Sequence, residues 1–467
     1  MLGRPRNRRR SAAMQRAKSA IASCGEGACA AGGATLRGLG AVFGRLRPRR
    51  RSRITSAEAA AQSSRDVAAA APVVDPEAPR GLDVLLLAVV LALLGLGTVM
   101  VFSSSAVFAA RKYKDGTFFL MRHASYGGIG LIALYIGWRL DYRLYQRFVY
   151  PLLLGTVLML IALFALGTRV DGAVRWFRLA GVSFQPSEAA KLSLVIYLAY
   201  SLSKKRDDMR LFSIGFLPHL FVAALVGALV LKQPDLGSTA ILLAVTFLML
   251  FVAGTRLSYI LAALLVAAPI AYQQIVGTPW RLRRLIAFLD PWAYRQDAGY
   301  QISESLISVG SGGLHGLGLG AGKQKLFFLP AAHTDFIFAI TGEELGFVGL
   351  MMVVGLFSVL IWRGVRAAIG ARDLFGTYLA YGITATYTLQ ALLHMAVVLG
   401  LVPTKGITLP FFSYGGSGLV MNLFSLGVLL NISARNPVSL AVQKRRATRK
   451  TDNRKKVHRV VIAGGES

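Results

Sequence analysis

Cysteine and histidine are scarce in this chain of 467 residues. Its two cysteines, Cys24 and Cys29, stand close together near the start, and its six histidines form no local pair with the spacing of metal ligands. Two cysteines without further cysteine or histidine partners are a weak metal signal. We therefore assign them no role, and the sequence pattern identifies no metal site.

Charged residues are also scarce, at 16% of the chain, whereas 54% of the residues are hydrophobic and the mean hydropathy is +0.54. A soluble chain normally has about 25% charged residues. The apolar runs are long and continuous, which favours helical spans of about 20 residues over the short alternating strands of a barrel. The sequence therefore predicts an all-α polytopic membrane protein with about ten transmembrane helices. The predicted spans are 84–106, 123–140, 147–167, 187–203, 212–231, 237–254, 257–276, 335–362, 375–401 and 415–433.

The two ends of the chain predict its orientation. Residues 1–80 contain 16 Lys+Arg against 5 Asp+Glu, and residues 434–467 contain 10 against 2. Basic flanks stay cytoplasmic, and an even number of spans puts both termini on one side. We expect a disordered basic cytoplasmic tail over 1–82, a membrane domain over 83–434 and a second basic cytoplasmic tail over 435–467.

The N-terminal tail lacks the apolar core of a secretory signal, so we expect the first span to be retained. Its arginine clusters could bind anionic membrane lipids or nucleic acid. A solvated tail that only sets the topology is the simpler interpretation, and we expect no nucleic-acid partner.

The longest internal loop, 277–334, falls on the predicted extracytoplasmic side between the seventh and eighth spans. Structureless loops of this length are uncommon and tend to be functional. This loop combines a segment rich in charged residues with a glycine-rich stretch over 310–322. The combination predicts short amphipathic helices joined by flexible turns. The glycines either let the backbone approach a bound phosphate or sugar or only provide a flexible connection.

Asp335 stands directly before a largely apolar run, 336–362. An ionised aspartate at the centre of a span costs about 2.5–3.5 kcal/mol, so acids in such segments are candidates for function. At the mouth of a span the cost is lower, and the apolar neighbours Phe336 and Phe338 should raise the pKa of the carboxyl towards useful basicity. The alternative is that Asp335 only caps its helix.

Several blocks of sequence keep a common order between residues 85 and 435. They are Arg175-Trp176 with Gln185-Pro186-Ser187-Glu188, Gln233-Pro234-Asp235, Phe288-Leu289-Asp290-Pro291-Trp292, Gln324-Lys325-Leu326 with His333-Thr334-Asp335 and Glu343-Glu344, and Pro410-Phe411-Phe412-Ser413-Tyr414-Gly415-Gly416-Ser417. Together they resemble the SEDS family (shape, elongation, division and sporulation proteins), which are polytopic peptidoglycan polymerases. Within the family, Gln324-Lys325-Leu326 and Pro403-Thr404-Lys405-Gly406 resemble the cell-division branch.

The resemblance implies that Asp335 is the catalytic base. It also implies dependence on a divalent cation, Mg²⁺ or Mn²⁺, although no ligand cage is identifiable. The implied partners are a class B penicillin-binding transpeptidase and other division proteins, and the implied location is the bacterial inner membrane at the division septum.

Transfer of a sugar from a lipid diphosphate needs a base for the acceptor hydroxyl and positive charge for the leaving diphosphate. It does not need the second, protonated carboxyl of glycoside hydrolysis. The basic residues in matched motifs are Arg175, Lys325 and Lys405, with Arg281, Arg283 and Arg284 as looser candidates. Each of them could equally be an interfacial anchor. The resemblance adds Trp176, His333, Ser413, Gly415 and Gly416 as substrate-binding candidates.

Four charged residues lie inside predicted spans. Glu188 and Lys191 share a helix face at i, i+3 spacing and can form an ion pair. Glu343 and Glu344 lie about 12 Å below Asp335, at about 1.5 Å per residue. Either pair could support the reaction or could only hold helices together.

Two positions depart from the family pattern. Ala331 stands where the family commonly has an acidic residue, which puts in doubt any auxiliary role of that acid. Gly418 stands where a serine is frequent, and this change is milder because both residues are small.

The sequence thus favours a glycosyltransferase that polymerises lipid II into septal glycan strands, expelling undecaprenyl diphosphate. One alternative is a lipid II flippase, which would need polar residues that continue through the bilayer. The other is a non-catalytic scaffold of the division machinery, which would need no acid at the outer mouth.

Overall fold

A computed structural model describes residues 82–170, 173–179 and 182–435. These residues are mostly α-helical, with one small sheet. The described helices are α1 (Val84–Tyr113), α2 (Phe118–Arg139), α3 (Leu144–Arg147), α4 (Val149–Leu166), α5 (Pro186–Lys204), α6 (Leu217–Lys232), α7 (Leu236–Val252), α8 (Leu257–Val276), α9 (Pro279–Leu289), α10 (Tyr300–Ser311), α11 (Ile337–Ile369), α12 (Leu374–Val398) and α13 (Ser417–Ala434). A 3-10 turn at Arg206–Asp208 and a π turn at Phe212–Phe216 lie before α6.

The ten long helices in this part of the chain coincide with the ten predicted spans. Six of them, with the π turn counted into α6, are long and apolar enough to cross a membrane by length and composition. The helical, polytopic membrane class is therefore confirmed, while the number of ten spans stays a prediction.

The predicted tails lie outside the described residues except for positions 82 and 435. Cys24 and Cys29 lie outside them as well. The domain boundaries and the cytoplasmic location of both termini therefore stay predictions.

Aspartates set the first turns of three of these helices. Asp83 before α1, Asp235 before α7 and Asp373 before α12 each accept a hydrogen bond from the backbone amide three residues further on. Such caps satisfy amides that have no partner within the helix. Because Asp235 is fixed in this way, its position is tied to the start of α7.

Helices α2 and α13 pack closely through two glycines. A Cβ atom on Gly137 would lie 2.6 Å from the carbonyl oxygen of Phe424, and one on Gly427 would lie 2.2 Å from that of Leu134. Small residues let membrane helices approach at backbone distance. Larger side chains at either position would therefore separate the two helices.

A three-stranded antiparallel sheet was not predicted. Strands β1 (Thr168–Val170), β2 (Ala173–Leu179) and β3 (Val182–Phe184) pair in the order β1-β2-β3. Thr168 lies opposite Trp176, and Phe177 lies opposite Phe184. The sheet is a correction to the all-helical expectation for the segment between α4 and α5. It fixes the direction in which Arg175 and Trp176 extend.

Helix α11 is broken at Gly346, whereas the sequence predicted one continuous span over 335–362. Gly346 has φ +67° and ψ −164°, a conformation that favours glycine. The preceding loop supplies hydrogen bonds on both sides of the break. The amides of Leu317 and Gly318 donate to the carbonyls of Glu343 and Glu344, at 2.9 and 3.0 Å.

The loop over 277–334 contains two short helices, α9 and α10, as predicted. Two of its glycines, Gly312 and Gly316, have a use that was not predicted. A Cβ on Gly312 would lie 1.9 Å from the carbonyl oxygen of Gly342, and one on Gly316 would lie 2.1 Å from that of Glu344. These two glycines therefore let the loop backbone approach the backbone of α11 closely.

Candidate active site

A cavity of about 420 Å³ lies between the sheet, the first turns of α5 and α7, and the segment that leads into α11. This volume falls in the usual range of ligand sites, about 300–1,000 Å³. Four basic and three acidic side chains line it. They are Arg122, Arg175, Arg178 and Lys191, with Glu188, Asp235 and Asp335.

Asp335 is half-buried in the wall of this cavity. Its backbone amide donates to the carbonyl oxygen of Ala331 at 3.1 Å. The N-cap position of α11 belongs to Phe336, so capping does not account for the aspartate. The carboxyl is instead available to the cavity.

Burial is the largest influence on Asp335 and raises the pKa of its carboxyl to about 6. Arg284, Arg175 and a hydrogen bond with Thr334 act in the opposite direction, and Asp235 raises the pKa further. A base with a pKa near the working pH is both ionised and basic enough to accept a proton. The environment of Asp335 meets this requirement.

Arg175 and Trp176 both line the cavity, as predicted for a binding site. The guanidinium of Arg175 donates to the carbonyl oxygens of Gln233 and Pro234, at 3.1 and 2.6 Å. These bonds hold the turn before α7. They therefore also place Asp235 in the cavity wall.

Glu188 and Lys191 form the predicted i, i+3 ion pair, with 2.8 Å between Oε1 and Nζ, and both line the cavity. The ammonium of Lys191 also donates to Oε1 of Gln390 on α12, at 3.1 Å. All three side chains are buried. Each of the two buried charges thus has an ionic partner, and Lys191 has a further hydrogen bond, as charges buried away from water require.

Helix α9 brings two arginines close to the site. Arg284 acts on Asp335 electrostatically, and burial lowers the pKa of its guanidinium. Arg281 is buried and donates to the carbonyl oxygen of Gln274 at 2.9 Å. Arg283 is exposed. The structure therefore separates these three candidates, with Arg284 as the one that faces Asp335.

Lys405 lies one residue before the cavity-lining Gly406. Burial lowers the pKa of its ammonium, and Asp235 opposes this shift. The Lys405 ammonium is therefore close enough to Asp235 to interact with it electrostatically. Its side chain is not part of the cavity lining.

Lys325 lies outside the cavity lining, so its expected role beside a bound diphosphate stays a prediction. Its ammonium is 2.6 Å from Oε1 of Glu344 and 3.0 Å from Oγ of Ser103. Both charged side chains are buried. The pair connects the loop before α11 with α11 and α1.

Glu343 lies outside the lining as well. Its carboxylate accepts hydrogen bonds from the amides of Lys323 and Gln324, at 2.6 and 3.2 Å. Of the two interpretations of Glu343 and Glu344, these contacts favour the structural one.

His333 and Ser413 stand next to the cavity without lining it. The ring of His333 packs on Phe119, with 4.6 Å between centroids, and burial lowers the pKa of its imidazole to about 4. Oγ of Ser413 accepts from the amide of Leu409 at 2.8 Å. Both residues therefore support the residues that line the cavity and do not line it themselves.

Gly415 and Gly416 line the cavity, as predicted. Gly416 has φ +49°, and a Cβ there would lie 3.7 Å from the ring of Tyr126. Gly418, at the departure from the family pattern, also lines the cavity and lies against the side chain of Glu188.

Sequence reasoning assigned no role to several polar residues in the lining, among them Arg122, Asp235 and Gln390. Asp235 belongs to a matched motif, so that motif was a usable signal. Gln390 lies inside a predicted span, where a polar side chain usually faces the interior of the bundle. Arg122 gave no local signal, whereas Arg178 is one of the basic residues on the predicted outer side, where cations are expected if a pyrophosphate is held there.

The described residues do not offer a resident metal site. No group of three or more His, Cys, Asp or Glu side chains among them could hold an ion. In the cavity, Glu188 is paired with Lys191, and Asp235 accepts from the amide and hydroxyl of Ser238. We therefore derive no step through a metal.

The helices and this cavity define a polytopic α-helical membrane protein with a polar, enzyme-like site at one end of the bundle. Residues 84–437 match the family of cell cycle proteins that comprises FtsW, RodA and SpoVE. The chain belongs to this family, as the sequence motifs predicted.

Curated relatives and solved structures agree with this assignment. A probable peptidoglycan glycosyltransferase FtsW of Geobacter sp. (strain M18) is 47% identical over 357 residues, covering 76% of this chain and 97% of the relative. Stage V sporulation protein E of Bacillus subtilis (strain 168) is 40% identical, covering 75% and 96%.

Among solved structures, the rod shape determining protein RodA of Thermus thermophilus is 28% identical with a TM-score of 0.58, covering 76% of this chain and 98% of that one. A chain from the structure named "Structural coordination of polymerization and crosslinking by a peptidoglycan synthase complex" is 28% identical with a TM-score of 0.65, covering 76% and 99%.

Proposed function

We propose that this protein is a peptidoglycan glycosyltransferase that polymerises lipid II into glycan strands during septal cell-wall synthesis. The observation that carries the proposal is the Asp335 carboxyl, which lies in a cation-rich cavity and has a pKa of about 6. Relatives that share 46 to 47% of their residues with the chain are named probable peptidoglycan glycosyltransferases.

In the proposed reaction, Asp335 takes the proton of the acceptor hydroxyl as its oxygen bonds to the anomeric carbon of the donor sugar. The bond between that carbon and the diphosphate oxygen breaks, and its electron pair leaves with undecaprenyl diphosphate. The anomeric configuration is inverted because attack and departure occur on opposite faces. A positioned base of this kind contributes about 10²–10⁴ in rate.

Positive charge for the departing diphosphate comes from the arginines around the cavity. Arg175 and Arg178 line it, and Arg284 faces Asp335 from α9. Fixed cations aimed at developing negative charge are among the largest contributions to catalysis. The Mg²⁺ or Mn²⁺ requirement stays a prediction, since the described residues hold no metal cluster.

The proposed partner is a class B penicillin-binding transpeptidase that crosslinks the new strands, together with other division proteins at the septum of the inner membrane. A structural relative belongs to a peptidoglycan synthase complex. The names of the most similar relatives support the division branch.

A lipid II flippase finds less support. In the part of the chain that the structure describes, the Glu188–Lys191 pair also borders a second, mainly apolar cavity of about 20 Å³. That volume suits about one water molecule. A diphosphate headgroup would need a far wider path, so the polymerase accounts better for the site. A scaffold function would not account for the Asp335 carboxylate with a raised pKa in a cavity lined by cations.

The test compares purified wild type with Asp335→Asn, each in complex with its cognate transpeptidase and supplied with lipid II and Mg²⁺. Asp297→Asn removes an exposed carboxyl from the same loop and is the matched control. We expect polymer from wild type and the control, and a loss of about 10²–10⁴ in rate for Asp335→Asn.

Equal polymer from Asp335→Asn would remove this residue as the base. No polymer from any folded variant would contradict the polymerase. In that case, movement of labelled lipid II across proteoliposomes would support the flippase.

A further inference from the structure

Two buried side chains on α12 hydrogen-bond to the wall of the cavity. Nε2 of Gln390 donates to the carbonyl oxygen of Thr408 at 3.0 Å, and Nδ1 of His394 lies 2.6 Å from that of Ile407. Gln390 and His394 are one helical turn apart, and each is 1% exposed. They therefore bind consecutive residues of one extended segment.

That segment, 406–408, lies beside the proposed base. A Cβ atom on Gly406 would lie 3.0 Å from Oδ2 of Asp335, so there is no room for a side chain between the glycine and the carboxylate. On the other side, a Cβ on Gly237 in α7 would lie 3.0 Å from Cγ1 of Ile407. The segment is thus held between α12 and α7, with Asp335 against its first residue.

Gln390 also connects the segment to the intramembrane ion pair. Its Oε1 accepts from Lys191, which is paired with Glu188 at 2.8 Å. The side-chain amide of Gln390 therefore accepts from Lys191 through its oxygen and donates to Thr408 through its nitrogen. An unbroken chain of polar contacts runs from Glu188 to the cavity wall.

The second ring nitrogen of His394, Nε2, has no hydrogen-bond partner among the described residues. A buried polar atom left without a partner is unfavourable and calls for an explanation. An apolar side chain of similar volume would avoid this cost. A gain from the bond to Ile407 explains why a histidine occupies this position.

We propose that Gln390 and His394 are positioning residues for glycosyl transfer, which hold the 406–408 segment against the Asp335 carboxylate and make the Glu188–Lys191 pair part of the same support. This inference rests on the proposed function. Neither residue needs to touch the reacting atoms. Their effect on the reaction passes through the position of Gly406.

Asp335 faces Arg284 from α9, Arg175 from β2 and Asp235 at the start of α7. The 406–408 segment supplies the uncharged side of this environment. If the segment moves away, more water surrounds the carboxylate and the carboxylate can shift. A displacement of about 1 Å can lower the rate by about 100-fold.

The test uses the full chain in complex with its transpeptidase, with lipid II as substrate. His394→Leu removes the donor at similar volume, whereas His394→Asn keeps a nitrogen donor on Cγ. Gln390→Leu removes both contacts of the amide. Thr388→Val is the matched control, because Thr388 bonds only within α12, to the carbonyl oxygen of Thr384.

We expect His394→Leu and Gln390→Leu to lower kcat by about 10- to 100-fold, with KM within about twofold of wild type. The midpoint of the acid limb of the pH–rate profile should move downward, because water favours the ionised carboxylate. His394→Asn should recover most of the activity, and Thr388→Val should match wild type.

Two results would overturn the inference while the proposed function stands. One is a folded His394→Leu with wild-type kcat and pH profile. The other is an equal loss in His394→Leu and His394→Asn without a change in the acid midpoint, which would indicate a general packing role. Failure of wild type to make polymer, or full activity of Asp335→Asn, would instead contradict the proposed function and this inference together.

A double-mutant cycle of Lys191→Met and Gln390→Leu tests the connection to the ion pair. Residues that act through one chain of contacts lose less together than the product of their separate losses. Independent, multiplicative losses would remove Glu188 and Lys191 from the proposed support.

Discussion

The carboxylate of Asp335 lies beside Gly406, with 3.0 Å between Oδ2 and the place a Cβ would take. Because φ of Gly406 is not positive, the conformation itself tolerates alanine. Gly406→Ala should therefore fold and displace the carboxylate by a few tenths of an ångström or more.

We expect Gly406→Ala to lower kcat about tenfold or more, since reaction rates are sensitive to displacements of this size. Gly310→Ala is the control, because a Cβ at Gly310 meets nothing within 4 Å. Steady-state polymerisation rates measure both. Wild-type kcat in Gly406→Ala would show that the contact does not position the base.

The pH dependence of the reaction should report Asp335. Its pKa is raised from 3.8 to about 6, and the ionised form is the active base. The rate constant kcat/KM should therefore rise between about pH 5 and 7 and then level off. A profile that is flat from pH 5 to 8 would contradict a base with this pKa.

Arg284→Gln should shift that profile. Arg284 favours the ionised form of Asp335, so its removal should raise the pKa and move the acid midpoint upward. Arg283→Gln, an exposed neighbour on the same helix, should leave the midpoint unchanged. Equal midpoints in the two variants would remove Arg284 from the environment of Asp335.

The buried Lys325–Glu344 pair predicts a stability effect. Lys325→Met leaves the Glu344 carboxylate buried without its cation, which typically costs about 3–5 kcal/mol. Adding Glu344→Gln should recover much of this loss. Thermal unfolding in detergent measures both variants. A stable Lys325→Met with a raised KM for lipid II would favour the original interpretation of Lys325 as a diphosphate ligand.

Gly418→Ser restores the residue type that is frequent in the family. A Cβ on Gly418 would lie 3.5 Å from Cδ of Glu188, an ordinary contact distance, so serine fits without rearrangement. Its hydroxyl can donate to the carboxylate, which would add a hydrogen bond to the buried Glu188–Lys191 pair. We expect equal or higher thermal stability. A lower unfolding temperature would show that a serine side chain does not fit against Glu188.

The ten long helices could be predicted because each is a continuous apolar run with its own length and end signals. The sheet could not, because β1 and β3 are only three residues long each and are stabilised by pairing with β2. The break at Gly346 was missed for a similar reason. A glycine within an apolar run does not reveal that a distant loop completes the missing hydrogen bonds.

For the candidate site, Asp335, Arg175 and the Glu188–Lys191 pair were identified from motifs and helical spacing, and the structure brings them to one cavity. Lys325 lies outside this lining, because proximity in sequence does not fix the path of a folded loop. Gln390 and His394 carried no motif. Their importance depends on contacts with 406–408, which only the tertiary structure shows.

The hydrogen bonds between the loop and the broken α11 make these two parts a single unit for protein engineering. The amides of Phe347 and Val348 donate to the carbonyls of Gly313 and Leu314, so neither side of the break is complete without the loop. A chimera with a relative should therefore exchange 312–369 as one block. A tag inserted between 312 and 318 should abolish folding, because it would interrupt these hydrogen bonds.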